Sequence, residues 1–411
     1  MLNRFLPNRS LGAVLDANKG VGPGFHTLRV GLAISVVIVH SVDVTTGVEI
    51  LKGPAWVFFE AVLPLFFALS GFLVMASAQR LPVGHFLINR GMRLFPALAV
   101  EVVLSAFILG PLFTSLPWRV YFDSQAFWLY MGNIFAINHY FLPGVFLDAP
   151  HAGMVNASIW TIPWELFCYA IITGLMVTGF IRRARFLLLA GLVFVTLPAL
   201  LAALLMLAQH VPGPWHLQQP MLTFDLYLDP PQYSQFHHSL TGKLKWLIWL
   251  LCGWNFRIMP FFVGGALLYA FRYRVPFSWL LGGACLGFLA LTAVAVPDSW
   301  DGPLFNLALL PVLTYLAVLV GLTRMPDLPV YRNGDYSYGI YLYGFPIQQV
   351  VTLLHLDMRL WWLNVLVSVP LITLFAMMSW RFIEHPVLRH RKTLAGLRFG
   401  AARRQRLRTS A

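Results

Sequence analysis

Apolar runs of about twenty residues recur along nearly the whole chain, and each is long enough to cross the hydrocarbon core of a bilayer as a helix. They fall at 28–46, 55–78, 94–115, 158–181, 186–208, 246–271, 277–296, 303–322, 336–355 and 361–382. Membrane-spanning β-strands are only about ten residues long and alternate in polarity, so runs of this length read as helices. Composition agrees. Hydrophobic residues make up 58% of the 411 and charged ones 11%, against roughly a quarter in soluble domains. A mean hydropathy of +0.71 leaves too little polar surface for a water-exposed globule, which excludes soluble enzymes, disordered chains and disulfide scaffolds. The expected fold class is an all-α polytopic membrane protein with about ten transmembrane helices.

The remaining segments set the domain plan. Residues 1–27 lack the uninterrupted apolar core of a signal peptide. They read as a cytoplasmic tail in which Phe5, Leu6, Leu11, Val14 and Leu15 form at most a surface-lying turn or two. The stretch 126–137 is apolar but short, which suits an interfacial or re-entrant piece. A long connection, 209–245, carries several Pro and His residues, and connections of that length are more often functional than idle. One transmembrane domain over 28–388 and a basic cytoplasmic tail, 389–411, complete the plan, with no internal repeat.

Lys and Arg distribute unevenly between the two sides of this layout. One side collects 23 of the 29, including Arg29, Arg80, Arg90, Arg93, Arg182, Arg183, Arg185, Arg272, Arg274 and the C-terminal cluster. The other holds Lys52, Arg119, Lys243, Lys245 and Arg359, with Arg257 left inside a span. By the positive-inside rule both termini are cytoplasmic. The formal charge of +13 therefore encodes orientation and contact with anionic headgroups, not a nucleic-acid face.

Charged groups at membrane depth are costly, so each is a functional candidate to be weighed against helix packing. Arg29 opens the first span, and His40 lies eleven residues on, about 16 Å deeper. Asp43, at i+3 from His40, shares its helix face. It could fix the imidazole tautomer as in acyl-transfer sites, or the pair could only tie two helices together. Arg90-Gly91-Met92-Arg93 falls between the second and third spans. Two arginines at this spacing can grip one polyanion, though any cytoplasmic connection carries positive charge. Ser70-Gly71-Phe72 permits close helix approach within the same hairpin.

Near the outer end of the fourth span stands Trp160-Thr161-Ile162-Pro163-Trp164-Glu165. Glu165 there could hydrogen-bond a sugar hydroxyl while Trp160 or Trp164 stacks on the ring. Aromatic anchoring at the interface is the alternative for both indoles. Glu60 and Glu101 read as structural partners for basic residues or as proton-relay groups. The ninth span, from Asp335 through Ser337, Tyr338, Tyr341 and Tyr343 to Pro346, carries hydroxyls suited to lining a polar cavity or to bonding neighbouring helices. Cys168, Cys252 and Cys285 are odd in number, sit in apolar stretches and show no metal spacing, so they read as buried small hydrophobes. His210, His216, His237 and His238 lack matching acids or thiolates and read as a solvated loop.

Taken in order, these elements resemble the acyltransferase-3 family of membrane O-acyltransferases. They are Arg29 with His40, Ser70-Gly71-Phe72, Arg90-x-x-Arg93 with Pro96, Trp160 to Glu165, Ser337-Tyr338-Gly339-Ile340-Tyr341-Leu342, and Glu384-x-Pro386. Gly344 stands where the family often has a His two residues before the ninth-helix proline, so no role is carried over there. The chain resembles a stand-alone form without a fused extracytoplasmic domain.

The resemblance implies acyl transfer from cytoplasmic acyl-CoA, with acetyl-CoA the expected donor, to a hydroxyl of a glycan or glycolipid at a bacterial inner membrane. It implies His40, Asp43 and Glu165 as catalytic residues and Arg29, Arg90, Arg93, Ser70, Ser337 and Tyr341 as donor-binding residues. Trp160 and Trp164 would meet the acceptor. No permanently bound cofactor or metal and no nucleic-acid partner is expected. The competing readings are a proton-coupled transporter of a glycan-lipid or small solute and a transferase acting on a phospholipid or isoprenoid.

Overall fold

The computed structural model describes residues 9–47, 56–207, 258–295, 303–326 and 328–390. The described residues are mostly helical, with short 3-10 and π turns, isolated β-bridges and no named strand. Five helices are long and apolar enough to cross a membrane: α2 (Phe25–Thr46), α3 (Trp56–Ala78), α4 (Val83–Phe113), the stretch Ser158–Val177 and α13 (Trp361–His390). Within Ser158–Val177 a 3-10 turn, Ser158–Thr161, leads into α7 (Ile162–Val177). Apolar helices that complete the bundle are α8 (Ala184–Leu207), α9 (Met259–Ala270), α10 (Trp279–Ala295) and α11 (Pro303–Leu322). The 209–245 connection, residues 246–257 of the sixth expected span, Cys252 and Arg257 lie outside the described residues.

Small residues set the closest helix approach. A Cβ at Gly71 on α3 would fall on the Phe262 carbonyl of α9, and one at Gly265 on α9 would fall on the Ala68 carbonyl of α3. Apolar helices in lipid gain little from hydrophobicity against one another, so this backbone-to-backbone packing carries the contact. The partner of Gly71 is therefore α9, far along the chain, and not the other arm of its own hairpin.

The ninth expected span is α12 (Ser337–Leu354), packed between α2 and α13. Its polar residues bond across helices. Gln348 Nε2 donates to the Val37 carbonyl at 2.8 Å, Asn364 on α13 joins Gln348, and Tyr338 Oη donates to the Leu94 carbonyl of α4 at 2.9 Å. Pro64, Pro96, Pro346 and Pro370 sit inside helices, which neighbouring helices make tolerable in a membrane protein.

Two expectations change. Phe5 and Leu6 lie outside the described residues, and Leu11 and Leu15 are not in a surface-lying turn. Helix α1 (Leu11–Ala17) buries Leu11 and Leu15, and Leu11 N–H and Gly12 N–H donate to the carbonyls of Val275 and Arg272. Arg90 and Arg93 do not lie in a connection, because α4 begins at Val83, eleven residues before the apolar run that was expected to start it. Apolarity marks the lipid-facing part of a helix but not a polar first turn or two packed on protein. The short apolar stretch near 126–137 is, as expected, no crossing helix: it forms α6 (Gln125–Tyr130) after α5 (Trp118–Asp123), then a 3-10 turn, Met131–Phe135. Cys168 and Cys285 are free and buried, as expected.

Candidate active site

Helix α2 runs through the centre of the site, with Arg29 near one end, His40 past the middle and Asp43 in its last turn. Around its Arg29 end, α3, α4, α7 and α12 enclose a cavity of about 350 Å³. Arg29, Arg80, Arg90 and Arg93 line it together with Ser70, Thr161, Glu165, Tyr169, Ser337 and Tyr341. Seven of the residues singled out in the sequence, Arg29, Ser70, Arg90, Arg93, Glu165, Ser337 and Tyr341, thus meet around one space.

Its electrostatics are organised by Asp335, just before α12. One carboxylate oxygen accepts from Arg29 Nη1 at 3.0 Å and from Arg93 Nη2 at 2.8 Å, while Ser337 Oγ donates to the other at 2.8 Å. Burial alone would push this carboxyl up, but the two guanidinium groups hold it well below the usual carboxylate range. Arg90 lies over the rings of Phe86 and Tyr169, 5.7 and 5.6 Å from their centres. The Nε groups of Arg29 and Arg90 are buried without a hydrogen-bond partner among the described residues. Four arginines against Glu165 and Asp335 leave the cavity cationic, with planar donors suited to phosphate oxygens.

The cavity stops one layer of side chains short of His40. Tyr341 Oη donates to the Ser158 carbonyl at 2.6 Å and shares a hydrogen bond of the same length with Thr161 Oγ1. Ser158 Oγ in turn meets His40 Nδ1 at 3.4 Å, and Phe345 packs edge-on to the imidazole, 5.3 Å between ring centres. His40 is half-buried, not sealed in apolar packing. Asn156 fixes this wall by accepting from Ser158 N–H, and it donates to Glu101 and to the Leu342 carbonyl. Glu101 is fully buried beside the π turn Ser105–Leu109 and bonds Ser105 and Asn156, not a basic residue. It is a structural tie between α4 and the wall.

Two placements differ from expectation. Asp43 hydrogen-bonds His151 Nδ1 at 2.9 Å and acts on His40 only as a nearby charge. The i+3 spacing puts both on one helix face, but a His from a distant loop satisfies the carboxylate first. Glu165 does not face outward. The turn preceding α7 is buried, Pro163 starts the helix inside the protein, and one turn on, Glu165 enters the arginine cavity, where it accepts from Tyr169 Oη. Trp160 and Trp164 pack on the hydrophobic core and do not line the cavity. From sequence, Asp335 only opened the ninth span, and Ser158, Tyr169 and His151 had no assigned part; the partners of Asp335 and His151 lie 242 and 108 residues away and leave no trace in local spacing. No group of three metal-binding side chains forms among the described residues.

The sequence profile of the acyltransferase domain of acyltransferase-3 proteins matches residues 23–381. The chain belongs to the acyltransferase-3 family. It is an integral membrane acyltransferase, which removes the transporter reading. It is 26% identical over 405 residues to nodulation protein 10 of Rhizobium leguminosarum bv. viciae, covering 95% of this chain and all of that one. It is 25% identical over 368 residues to an O-acetyl transferase of Shigella phage Sf6, covering 88% of this chain and 94% of that one. No solved structure matches the chain.

Proposed function

We propose that this acyltransferase moves an acetyl group from cytoplasmic acetyl-CoA to a hydroxyl of a glycan or glycolipid at a bacterial inner membrane. The observation that carries the reading is the four-arginine cavity that ends on the Thr161–Tyr341–Ser158 hydroxyl wall in front of His40. An anionic nucleotide portion rests against the arginines, and the uncharged pantetheine arm runs inward between α2 and α12. The acetyl thioester then meets His40 once the Tyr341 side chain yields. The likeness to a phage O-acetyl transferase supports acetyl as the group and oxygen as the acceptor atom.

The topology belongs to the same proposal. Ten spans over the 28–388 domain, with both termini in the cytoplasm, place Arg29, Arg80, Arg90 and Arg93 on the donor's side. His40 then sits between that side and the outer face, where an acceptor arrives. His40 either takes the proton of the acceptor hydroxyl or receives the acetyl group and passes it on.

Purified protein should bind labelled acetyl-CoA and release CoA slowly to water. Each of Arg90→Ala and Arg93→Ala should raise the KM for acetyl-CoA about tenfold, the equivalent of one charge-assisted hydrogen bond of ~1.5 kcal/mol. Unchanged KM values in both variants would return these arginines to topology alone, and absence of any acetyl-CoA binding would end the donor assignment.

A further inference from the structure

The far end of α2 carries one half of a His–Asp pair that the donor site does not use. Its Asp43 lies fourteen residues beyond Arg29, about 21 Å along the helix axis, so the pair sits on the side of His40 remote from the arginine cavity. His151 reaches it from the loop before the Ser158 turn and binds Asp43 Oδ1 through Nδ1 at 2.9 Å. The two side chains are 19% and 17% exposed, so a solute can reach them.

The loop is fixed from below and beside. Gln349 Nε2 on α12 donates to the carbonyls of His151 and Met154 at 2.8 and 2.7 Å. Gly47, which ends α2 with a positive φ of 69°, lets the Pro150 carbonyl pack where a Cβ would otherwise fall. The His151 ring packs edge-on to Phe345, 5.8 Å between centres, and the same Phe345 ring takes His40 at 5.3 Å. One aromatic side chain therefore sets the spacing of the two imidazoles. Asp43 and His40 on α2 are among the charged and titratable groups that face His151. From α12 it meets Phe345 and the Gln349 amide.

A carboxylate that accepts from Nδ1–H fixes the tautomer whose basic lone pair is on Nε2. That is the arrangement by which a His–Asp pair serves as a general base. We propose that His151 is a second catalytic histidine, whose Nε2 takes the proton of the acceptor hydroxyl on the outer side of His40. This inference rests on the proposed donor site and selects the two-step form of the reaction. In the first step a nitrogen of His40 bonds to the acetyl carbonyl carbon, the carbon–sulfur bond breaks and CoA leaves as its thiolate. In the second, the acceptor oxygen bonds to that carbon, the carbon–nitrogen bond breaks, its electron pair returns to His40, and the hydroxyl proton passes to His151. His151 releases that proton to solvent, and the thiolate gains one at the cavity mouth.

The alternative is that His151 merely pins its loop to α2. His151→Asn separates the two, because its amide can still donate to Asp43 from the position of Nδ1 but offers no base at Nε2. The test follows CoA release from acetyl-CoA by purified full-length protein, with water as acceptor, in wild type, His151→Asn, His151→Ala and His40→Ala. Wild type should show a burst of up to one equivalent of CoA and then steady turnover. His151→Asn should keep the burst and the KM for acetyl-CoA within twofold, hold labelled acetyl on the protein, and lose steady turnover by ~10²-fold or more. His40→Ala should give no burst. Steady turnover in His151→Asn within threefold of wild type, or recovery by Asn of what Ala loses, would reduce His151 to a positioning residue and overturn the proposal. Loss of the burst in folded His151→Asn would overturn it too, by moving the histidine to the donor step. A wild type that neither binds acetyl-CoA nor releases CoA removes the donor assignment itself, an outcome distinct from either.

Discussion

His40→Ala is expected to abolish acetyl transfer while leaving the protein folded in the membrane. The imidazole is half-buried at the one point where the hydroxyl wall of the arginine cavity meets the outer half of α2. Among the described residues its contacts are modest: one long hydrogen bond with Ser158 and one edge-on ring contact with Phe345. Removing it therefore costs little packing. A positioned base typically contributes 10²–10⁴-fold, and a covalent carrier that is missing stops the reaction altogether. Measured as acetylation of the cell-surface glycan in whole cells, and as CoA release in purified protein, the loss should be at least a hundredfold, at wild-type levels in the membrane fraction. Normal product from this variant would remove His40 from the chemistry. Ser158→Ala makes a useful comparison, because it deletes the bond to Nδ1 but leaves the ring. A loss of around tenfold there would mark Ser158 as a residue that orients His40.

Much of the architecture was legible because lipid imposes a simple demand. A crossing helix must be apolar for about twenty residues, and α2, α3 and α13 begin within a few residues of where their runs do. The same demand hides everything that is not lipid-facing. Helix α4 extends back to Val83 through Arg90 and Arg93 because that part packs on protein and around the cavity, where polar residues can find partners that lipid does not offer. Helix α1 could be read only as a turn or two, since seven residues are too few to show a period, and it is the packing of Leu11 against the 272–277 turn that fixes it.

The site follows the same division. Arg29, His40, Ser337 and Tyr341 could be picked out because charges and hydroxyls in apolar runs are conspicuous, and Arg90 and Arg93 by their i+3 spacing. Which of them touch could not, because an apolar helix carries no strong facing signal. Asp43 shows the limit: its spacing from His40 permits a bond, yet it binds His151 from a loop 108 residues away. Glu165 shows another. Pro163 marks a helix start, and only the fold reveals that this start lies inside the protein.

Asp335→Ala should give the second-largest effect, on stability and on how the protein responds to CoA. Among the described residues Asp335 alone bridges Arg29 on α2 and Arg93 on α4, so without it two guanidinium groups face Arg80 and Arg90 across a confined space. Removing one partner of a fully buried ion pair costs about 3–5 kcal/mol. Here the side chains are 13% to 34% exposed, and solvent screening brings the expected loss to about 2 kcal/mol. In detergent the thermal midpoint should fall by a few degrees. Because the arginines hold its carboxyl below the usual range, Asp335 is ionised throughout ordinary pH. Its contribution is present above the unfolded carboxylate pKa and is lost only as pH falls through the lowered one, so the deficit of the variant should be constant from about pH 5 to 8. Saturating CoA should then stabilise the variant more than wild type, because its phosphates take the place of the missing carboxylate between Arg29 and Arg93. A midpoint equal to wild type would show the bridge to be energetically idle. A smaller gain from CoA than in wild type would show that the phosphates do not sit where Asp335 points.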